Sequence, residues 1–392
     1  MLQRNPALAG SGMGVGGIAA GGRDHRLDMF RGIALVMIFI NHVPGTVYEN
    51  FTSRNFGFSD AAEAFVFMSG MAAGLAYSNR FRIGSTWLAM TKVWARARQL
   101  YFVHLTITLL SLAVFAAAAL WFDREQLLTQ NNLASLFRRP LSAMIGIPLL
   151  THQLGYLNIL PLYTVLLLAT PLLLVIGLRR PWLLLAASIL LWAAAGQFRL
   201  NLPNFPTPGG WFFNPFSWQL LFVIGLLSGA AMKQGERFIA YSRLLFWAAA
   251  SFLVLALLWG KVPALGAAGG SFLRMLEQSG VPFYFTAFDK TFVTVPRLLH
   301  ALALFYVLGS LTVMSSLAAS RVAAPFRLLG RQGLAVFAFG TVLSIALQAL
   351  KSGTSADPLI DGLLIGGGIA AMLALAWILA RTAEMNRAAA RA

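Results

Sequence analysis

One histidine and two carboxylates lie at the ends of neighbouring apolar stretches and have the residue types needed for acid–base chemistry. His42 ends the stretch LDMFRGIALVMIFINHVP, while Asp60 and Glu63 begin GFSDAAEAFVFMSG. The connection between the stretches is short, which predicts that the three side chains meet. A carboxylate beside a histidine supports general-base catalysis. Asp60 and Glu63 also fit a helix capping box, and a capping carboxylate can still orient an imidazole.

The first stretch also carries charge at its other end. Arg31 and His42 are eleven residues apart, so on a helix they share one face to within about 20° and lie about 16 Å apart. Asp28 lies on the same face, with Leu35 and Ile38 between the charged end and the histidine. Charges at membrane depth usually mark a site or a pathway. The alternative is that Arg31 reaches the interface and pairs with Asp28, and that His42 is an ordinary interfacial histidine.

Further polar residues cluster at the predicted outer ends of later apolar segments: His152, Tyr156, Asn158, Asn214, Trp218, Gln219, Asp289, Lys290, Arg297 and His300. Asn214 before Pro215 is typical of a helix start. Arg297 and His300 lie one turn apart within an apolar run, which favours a functional role.

Cations also lie near segment ends on the opposite side: Lys92, Arg96, Arg98 and Arg331. Membrane topology accounts for them, although a phosphate-bearing cytoplasmic substrate would need such groups.

The elements that must position these residues are membrane-length helices. The 392 residues are 58% hydrophobic and 11% charged, whereas soluble domains average about 25% charged. Ten apolar segments are long enough to cross a hydrocarbon core of about 30 Å: 27–44, 60–78, 100–121, 156–177, 182–198, 216–233, 243–259, 296–316, 332–350 and 359–381. The sequence therefore predicts an all-α, polytopic membrane protein. Gly70 and Gly74 are predicted to serve helix packing.

The distribution of Lys and Arg predicts the orientation. With the N-terminus inside, nineteen of the 30 basic residues lie in inner segments and nine in outer loops. The positive-inside rule therefore places both termini in the cytoplasm and explains the net charge of +17 without a nucleic-acid partner. The absence of cysteine excludes disulfides and thiolate chemistry. The sequence predicts no metal site.

The predicted organisation is one membrane domain between two short tails. Residues 1–22, rich in Gly and Ala, lack the continuous apolar core of a signal peptide and are predicted to form a disordered cytoplasmic tail. Residues 23–385 form the domain, and 386–392 form a C-terminal cytoplasmic tail. The long outer segments 122–155 and 260–295 are expected to be functional or partly re-entrant.

The two opening stretches resemble those of the OpgC family, the succinyltransferases of osmoregulated periplasmic glucans. FNPFSWQLLF, DKTFVTVPRLLHALAL and LGRQGLAVFAFGTVLS extend the resemblance to about residues 24–350. The related membrane acyltransferase-3 group carries an Arg, ten residues and a His in its first helix, as Arg31 and His42 do here. The resemblance implies an inner-membrane enzyme with ten spans. It would transfer an acyl group, in this family succinyl, from cytoplasmic acyl-CoA to a periplasmic glucan hydroxyl, without a permanently bound cofactor.

The resemblance also implies roles for single residues. His42 would deprotonate the sugar hydroxyl, Asp60 or Glu63 would orient it, and Asn41 could stabilise the oxyanion, while transfer through an acyl-histidine stays open. The residues expected to bind acyl-CoA are Arg31, Asp28, Arg96 and Arg331, with the stripe past Leu35 and Ile38 bordering a tunnel. The cations expected to bind the free carboxylate of the acyl group are Arg297, Lys290 and Arg54. The remaining candidates for substrate binding are His300, Asn214, Trp218 and His152.

Three other functions fit parts of this pattern. A glycan or lipid exporter also needs polar groups within the membrane, although the sequence lacks the internal repeat common in transporters. The same fold could transfer acetyl to another surface polysaccharide. A non-catalytic partner in glycan synthesis would tolerate changes at His42, which the acid and histidine cluster argues against.

Overall fold

The structure is a computed structural model that describes residues 24–352 and 354–391, so the predicted tail 1–22 lies outside it. The described chain contains sixteen α-helices and three short 3-10 helices, and the bounds of the α-helices follow in order. They are α1 (His25–Asn41), α2 (Ala61–Ile83), α3 (Thr86–Phe122), α4 (Leu133–Arg138), α5 (Pro140–Gly146), α6 (Ile159–Arg179), α7 (Pro181–Phe198), α8 (Pro215–Met232), α9 (Arg243–Lys261), α10 (Pro263–Gln278), α11 (Phe283–Thr286), α12 (Val295–Ser310), α13 (Val313–Ala319), α14 (Ala324–Arg331), α15 (Gly333–Lys351) and α16 (Pro358–Ala389).

Seven of these helices are long and apolar enough to cross a membrane: α3, α6, α7, α8, α9, α15 and α16. The helices α12 and α13 are bent by 77° relative to each other, and if they form one span the number of candidate spans rises to eight. The protein is therefore an all-helical, multi-pass membrane protein. Each of the ten predicted apolar segments coincides with a helix or with this bent pair. The count of ten spans and the cytoplasmic termini stay predictions.

The segments between and after these helices are more ordered than the sequence suggested. The outer stretch 122–155 contains α4 and α5, and 260–295 contains α10 and α11. At the C-terminus α16 continues to Ala389. Most of the predicted tail 386–392 therefore extends a helix.

The centre of the bundle is the pair α2 and α8. In α8, 72% of the 18-residue apolar stretch is buried inside the protein, compared with 11% of the corresponding stretch in α9. This contrast places α8 in the interior and leaves α9 with a face for lipid. Because α2 packs against α8, the centre of the bundle also supports the helix that begins at the predicted carboxylates.

Glycines bring α2 and α8 into close contact. A Cβ added at Gly70 would lie 2.1 Å from the carbonyl oxygen of Phe222, and one at Gly74 would lie 2.3 Å from that of Leu226. Gly229 on α8 is just as tightly packed, against the backbone of α2. The prediction that Gly70 and Gly74 serve packing is confirmed.

Gly70→Ala is expected to lower the free energy of unfolding by about 1–3 kcal/mol, because the added methyl forces two backbones apart. Gly367→Ala is the matched control, because a Cβ there would meet no described atom within 4 Å. That control should be neutral or gain up to about 1 kcal/mol, since alanine favours a helix. Unfolding of both variants in detergent measures the difference. Equal stabilities would contradict the close helix contact.

Candidate active site

The connection between α1 and α2 is held in place at the end of the bundle that the sequence predicts to be outer. Asn41 accepts a hydrogen bond through its Oδ1 from the hydroxyl of Thr52 (2.8 Å). The backbone N–H of Val47 donates to Asp361 on α16 (2.9 Å). Asp361 in turn forms a buried ion pair with Lys351 on α15 (2.6 Å). Asn41 is thus part of the support for this connection, with its amide group directed by Thr52.

The start of α2 is the capping box that the sequence predicted. The Asp60 side chain accepts from the N–H of Ala62 (2.8 Å), and Glu63 accepts from the N–H of Asp60 (2.9 Å). The second carboxylate oxygen of each residue forms an ion pair: that of Asp60 with Lys290 (2.5 Å), and that of Glu63 with Arg297 (2.5 Å). Arg297 also lies 3.4 Å from Asp60. Two carboxylates and two cations therefore form one compensated cluster.

His42 does not pair directly with either acid. No hydrogen bond joins its ring to Asp60 or Glu63, and its buried Nδ1 has no partner in the part of the chain that the structure describes. The predicted imidazole–carboxylate contact is therefore wrong. The physical reason is that Glu63 is fully buried, and a buried carboxylate needs a cation more than it needs a neutral imidazole. Lys290 and Asp60 still lie close enough to interact electrostatically with His42.

Other residues hold the imidazole in place. The ring of Tyr156 packs against it with centroids 4.7 Å apart, and the side chain of Gln348 donates to the His42 carbonyl (2.6 Å). Tyr156 has a φ of 70°, which is unusual for a bulky residue. The backbone at Tyr156 is thus strained where the ring meets His42.

A small cavity of about 10 Å³ lies beside His42, which is near the lower limit for one water. Its walls are Leu35, Ile38, Phe39, His42, Val336, Phe337, Gly340, Thr341 and Met372. The predicted stripe past Leu35 and Ile38 thus does lead to His42. The space along it is too narrow in this conformation for a substrate.

The loop before α12 presents Lys290 to the carboxylates. The indole N–H of Trp218 donates to the backbone carbonyl of Lys290 (3.0 Å), and that of Trp192 donates to Val293 (3.0 Å). Trp218 is fully buried and is absent from the walls of both cavities in the described chain. Trp218 positions the backbone of Lys290, because an indole this deep needs an acceptor for its N–H. Its predicted contact with substrate stays a prediction.

Asn214 and His152 also serve the fold. Asn214 caps α8 by accepting from the N–H of Phe216 (3.1 Å) and donates to the carbonyl of Leu200 (2.7 Å). His152 is buried, with its Nε2 3.5 Å from the Ser135 hydroxyl. Burial lowers its pKa. Within the described chain neither residue lines the two cavities, so both have structural roles, and their predicted substrate contacts stay predictions.

Arg297 and His300 both contact the chain around the start of α2. The Nδ1 of His300 lies 2.7 Å from the Ser59 hydroxyl and accepts from the Ser59 N–H (3.3 Å). A Cβ at Gly57 would lie 1.9 Å from Nε2 of His300, so this ring fits only beside glycine. Sequence reasoning missed Gly57 and Ser59. The only signal was their position directly before the capping Asp60.

A cavity of about 390 Å³ opens beside this cluster, within the range of small-molecule sites. It is called the outer cavity because it lies at the predicted outer end of the bundle. Its lining is Arg54, Asn55, Gly57, Phe58, Ser59, Asp60, Ala256, Trp259, Gly260, Lys261, Phe288 and Arg297. Phe58, Trp259 and Phe288 form an aromatic wall with ring centroids 4.8–5.9 Å apart. Trp259 and Lys261 went unnoticed in the sequence because they resemble any interfacial end of a span.

The predicted acyl-CoA residues meet around the first half of α1. Arg331 lies 3.6 Å from Asp28, and Arg31 donates to a backbone carbonyl of α2 (3.4 Å). Tyr163 lies close enough to interact electrostatically with both Arg31 and Arg96. Asp28, Arg31 and Arg331 therefore lie together around the start of α1, at the opposite end of this helix from His42, while Arg96 is on α3.

Comparison with known proteins identifies the family. No curated protein matches the chain. The family model described as OpgC protein matches residues 23–384, nearly the whole chain. The chain is therefore a member of the OpgC family, whose members are glucan-modifying acyltransferases.

Proposed function

We propose that this protein transfers a succinyl group from cytoplasmic acyl-CoA to a hydroxyl of a periplasmic glucan, across the bacterial inner membrane. The observation that carries the proposal is His42, whose buried Nδ1 has no partner within the described chain. Its charged neighbour Asp60 lines the outer cavity. An unpartnered imidazole nitrogen can serve as a general base. His42 itself lines the narrow cavity of about 10 Å³, and its link to the larger cavity is through Asp60.

The proposed reaction is a direct acyl transfer. The His42 imidazole takes the proton of the sugar hydroxyl while the hydroxyl oxygen attacks the thioester carbonyl. The C–S bond then breaks, and the departing thiolate receives the proton from the imidazolium. Tyr156 holds the ring, and Asp60 with its paired Lys290 acts on it through charge. Asn41, whose Oδ1 is engaged by Thr52, retains its amide N–H groups as donors for the oxyanion.

The donor is proposed to enter along α1. Arg331 and Arg96 would meet the phosphates of CoA, with Arg31 deeper, since guanidinium groups bind phosphate through paired hydrogen bonds. The thioester arm would follow the stripe past Leu35 and Ile38. The cavity of about 10 Å³ beside His42 would have to widen, which requires α1 and α15 to separate as the donor enters.

The test is transfer of labelled succinyl from succinyl-CoA to glucan oligosaccharides by the purified protein in liposomes. Mass spectrometry of periplasmic glycans from cells with and without the gene gives the parallel result. Succinylated glucan that depends on the protein supports the proposal. Acetylated glycan would favour the alternative substrates, and unmodified glycan with altered export would favour the exporter.

A further inference from the structure

The cations predicted to bind a substrate carboxylate are already paired. Each forms an ion pair with a protein carboxylate at the outer end of the bundle, and two of those carboxylates belong to the capping box of α2. A substrate carboxylate would have to displace one of these partners. The three pairs are Arg54–Glu49 (2.6 Å), Lys290–Asp60 (2.5 Å) and Arg297–Glu63 (2.5 Å).

Lys261 differs from these three. It is the last residue of α9, it lines the same outer cavity, and no carboxylate of the described chain forms an ion pair with it. Beside the cavity, three cations thus form ion pairs with three carboxylates, and Lys261 is a fourth cation outside these pairs. The Lys261 ammonium lies 4.8 Å from the ring centroid of Phe56, and a cation–π contact of this kind holds it beside the cavity.

We infer that Lys261 binds a carboxylate of the substrate in the outer cavity, an inference that rests on the proposed function. The ammonium of Lys261, which lies outside these ion pairs, matches one carboxylate. The aromatic wall of Phe58, Trp259 and Phe288 suits the methylene chain or the apolar face of a sugar next to that carboxylate. The carboxylate belongs either to the dicarboxylic acyl group of the donor or to an acyl group already on the glucan.

Another explanation for Lys261 is position alone. A lysine at the end of a lipid-facing helix commonly extends its ammonium to the membrane surface. In that case its replacement would affect substrates with and without a carboxylate equally. Selectivity between charged and neutral substrates therefore distinguishes the two explanations.

The experiment compares wild type, Lys261→Gln and Lys261→Arg as full-length protein in liposomes. Donors are succinyl-CoA and acetyl-CoA, and acceptors are neutral and succinylated glucan. With Lys261→Gln, kcat/KM should fall about tenfold for combinations in which the donor or the acceptor presents its succinyl carboxylate to Lys261. It should stay within about twofold of wild type for acetyl-CoA with neutral glucan. Lys261→Arg should retain most of the activity. Arg274→Gln, on the neighbouring α10 and outside the cavity lining, is the matched control.

The pattern of loss identifies the source of the carboxylate. If Lys261→Gln lowers kcat/KM with succinyl-CoA on either acceptor, the carboxylate belongs to the donor. If kcat/KM falls only with succinylated glucan, the carboxylate belongs to the acceptor. If kcat/KM of Lys261→Gln is unchanged, or falls equally for all four combinations, the inference is overturned. The proposed function still holds in that case, provided that the wild-type protein transfers the acyl group.

Binding provides a measurement that needs no turnover. Titration calorimetry with the succinate monoester of methyl glucoside should show about tenfold weaker affinity in Lys261→Gln, whereas the acetate ester should bind both proteins alike. If wild type transfers no acyl group, the proposed function fails, and this titration still decides the carboxylate site. Equal affinity of wild type for the two esters overturns it.

Discussion

His42→Gln is expected to lower kcat for acyl transfer by about 10²–10⁴-fold, the contribution of a positioned general base. Glutamine has nearly the same size and keeps polar atoms, but it cannot take a proton at neutral pH. The hydrogen bond from Gln348 to the backbone of residue 42 does not depend on the side chain. The fold should therefore persist. Initial rates with labelled succinyl-CoA, together with the unfolding midpoint in detergent, measure both effects.

His104→Gln is the matched control. His104 is also buried, on α3, and its ring nitrogens have no hydrogen-bond partner among the described residues. Within the described chain it lines neither cavity. Its replacement should leave kcat within about threefold of wild type. Near-normal turnover by His42→Gln would exclude the general-base mechanism. Equal losses in both variants would indicate damage to the bundle.

Arg297→Met is expected to lower the free energy of unfolding by about 3–5 kcal/mol, the effect of removing one partner from a buried ion pair. Glu63 is fully buried and receives two hydrogen bonds from the guanidinium of Arg297 (2.5 and 2.8 Å). Methionine fills a similar volume without charge. Among the described residues, Glu63 would then keep only the N–H of Asp60 (2.9 Å) as a donor. Equilibrium unfolding in mixed micelles measures the change.

A compensating variant tests the cause. Arg297→Met combined with Glu63→Gln removes both charges and should recover most of the lost stability, because a neutral amide can stay buried with fewer partners. Arg297→Lys should lie between wild type and Arg297→Met, since lysine supplies charge without the paired geometry. If Arg297→Met alone unfolds like wild type, the carboxylates at the start of α2 do not depend on this pair.

Structural features that depend on residues close together along the chain could be predicted from the sequence. The apolar segments predicted the multi-pass helical class because span length follows from bilayer thickness. Asp60 and Glu63 predicted a capping box, and Asn214 with Pro215 predicted the start of α8, because caps involve residues within one helical turn. Gly70 and Gly74 predicted a close helix contact for the same reason, since their spacing sets one face.

Only the tertiary structure decided which charges are paired and which are not. The partners of Asp60 and Glu63 are Lys290 and Arg297, more than 220 residues away, and no local pattern gives such a contact. A buried carboxylate is stabilised by whichever cation the fold brings nearest, so these acids pair with cations and His42 keeps an unpartnered nitrogen in the described chain. The same fold places Lys261 at the outer cavity, where no carboxylate of the described chain forms an ion pair with it.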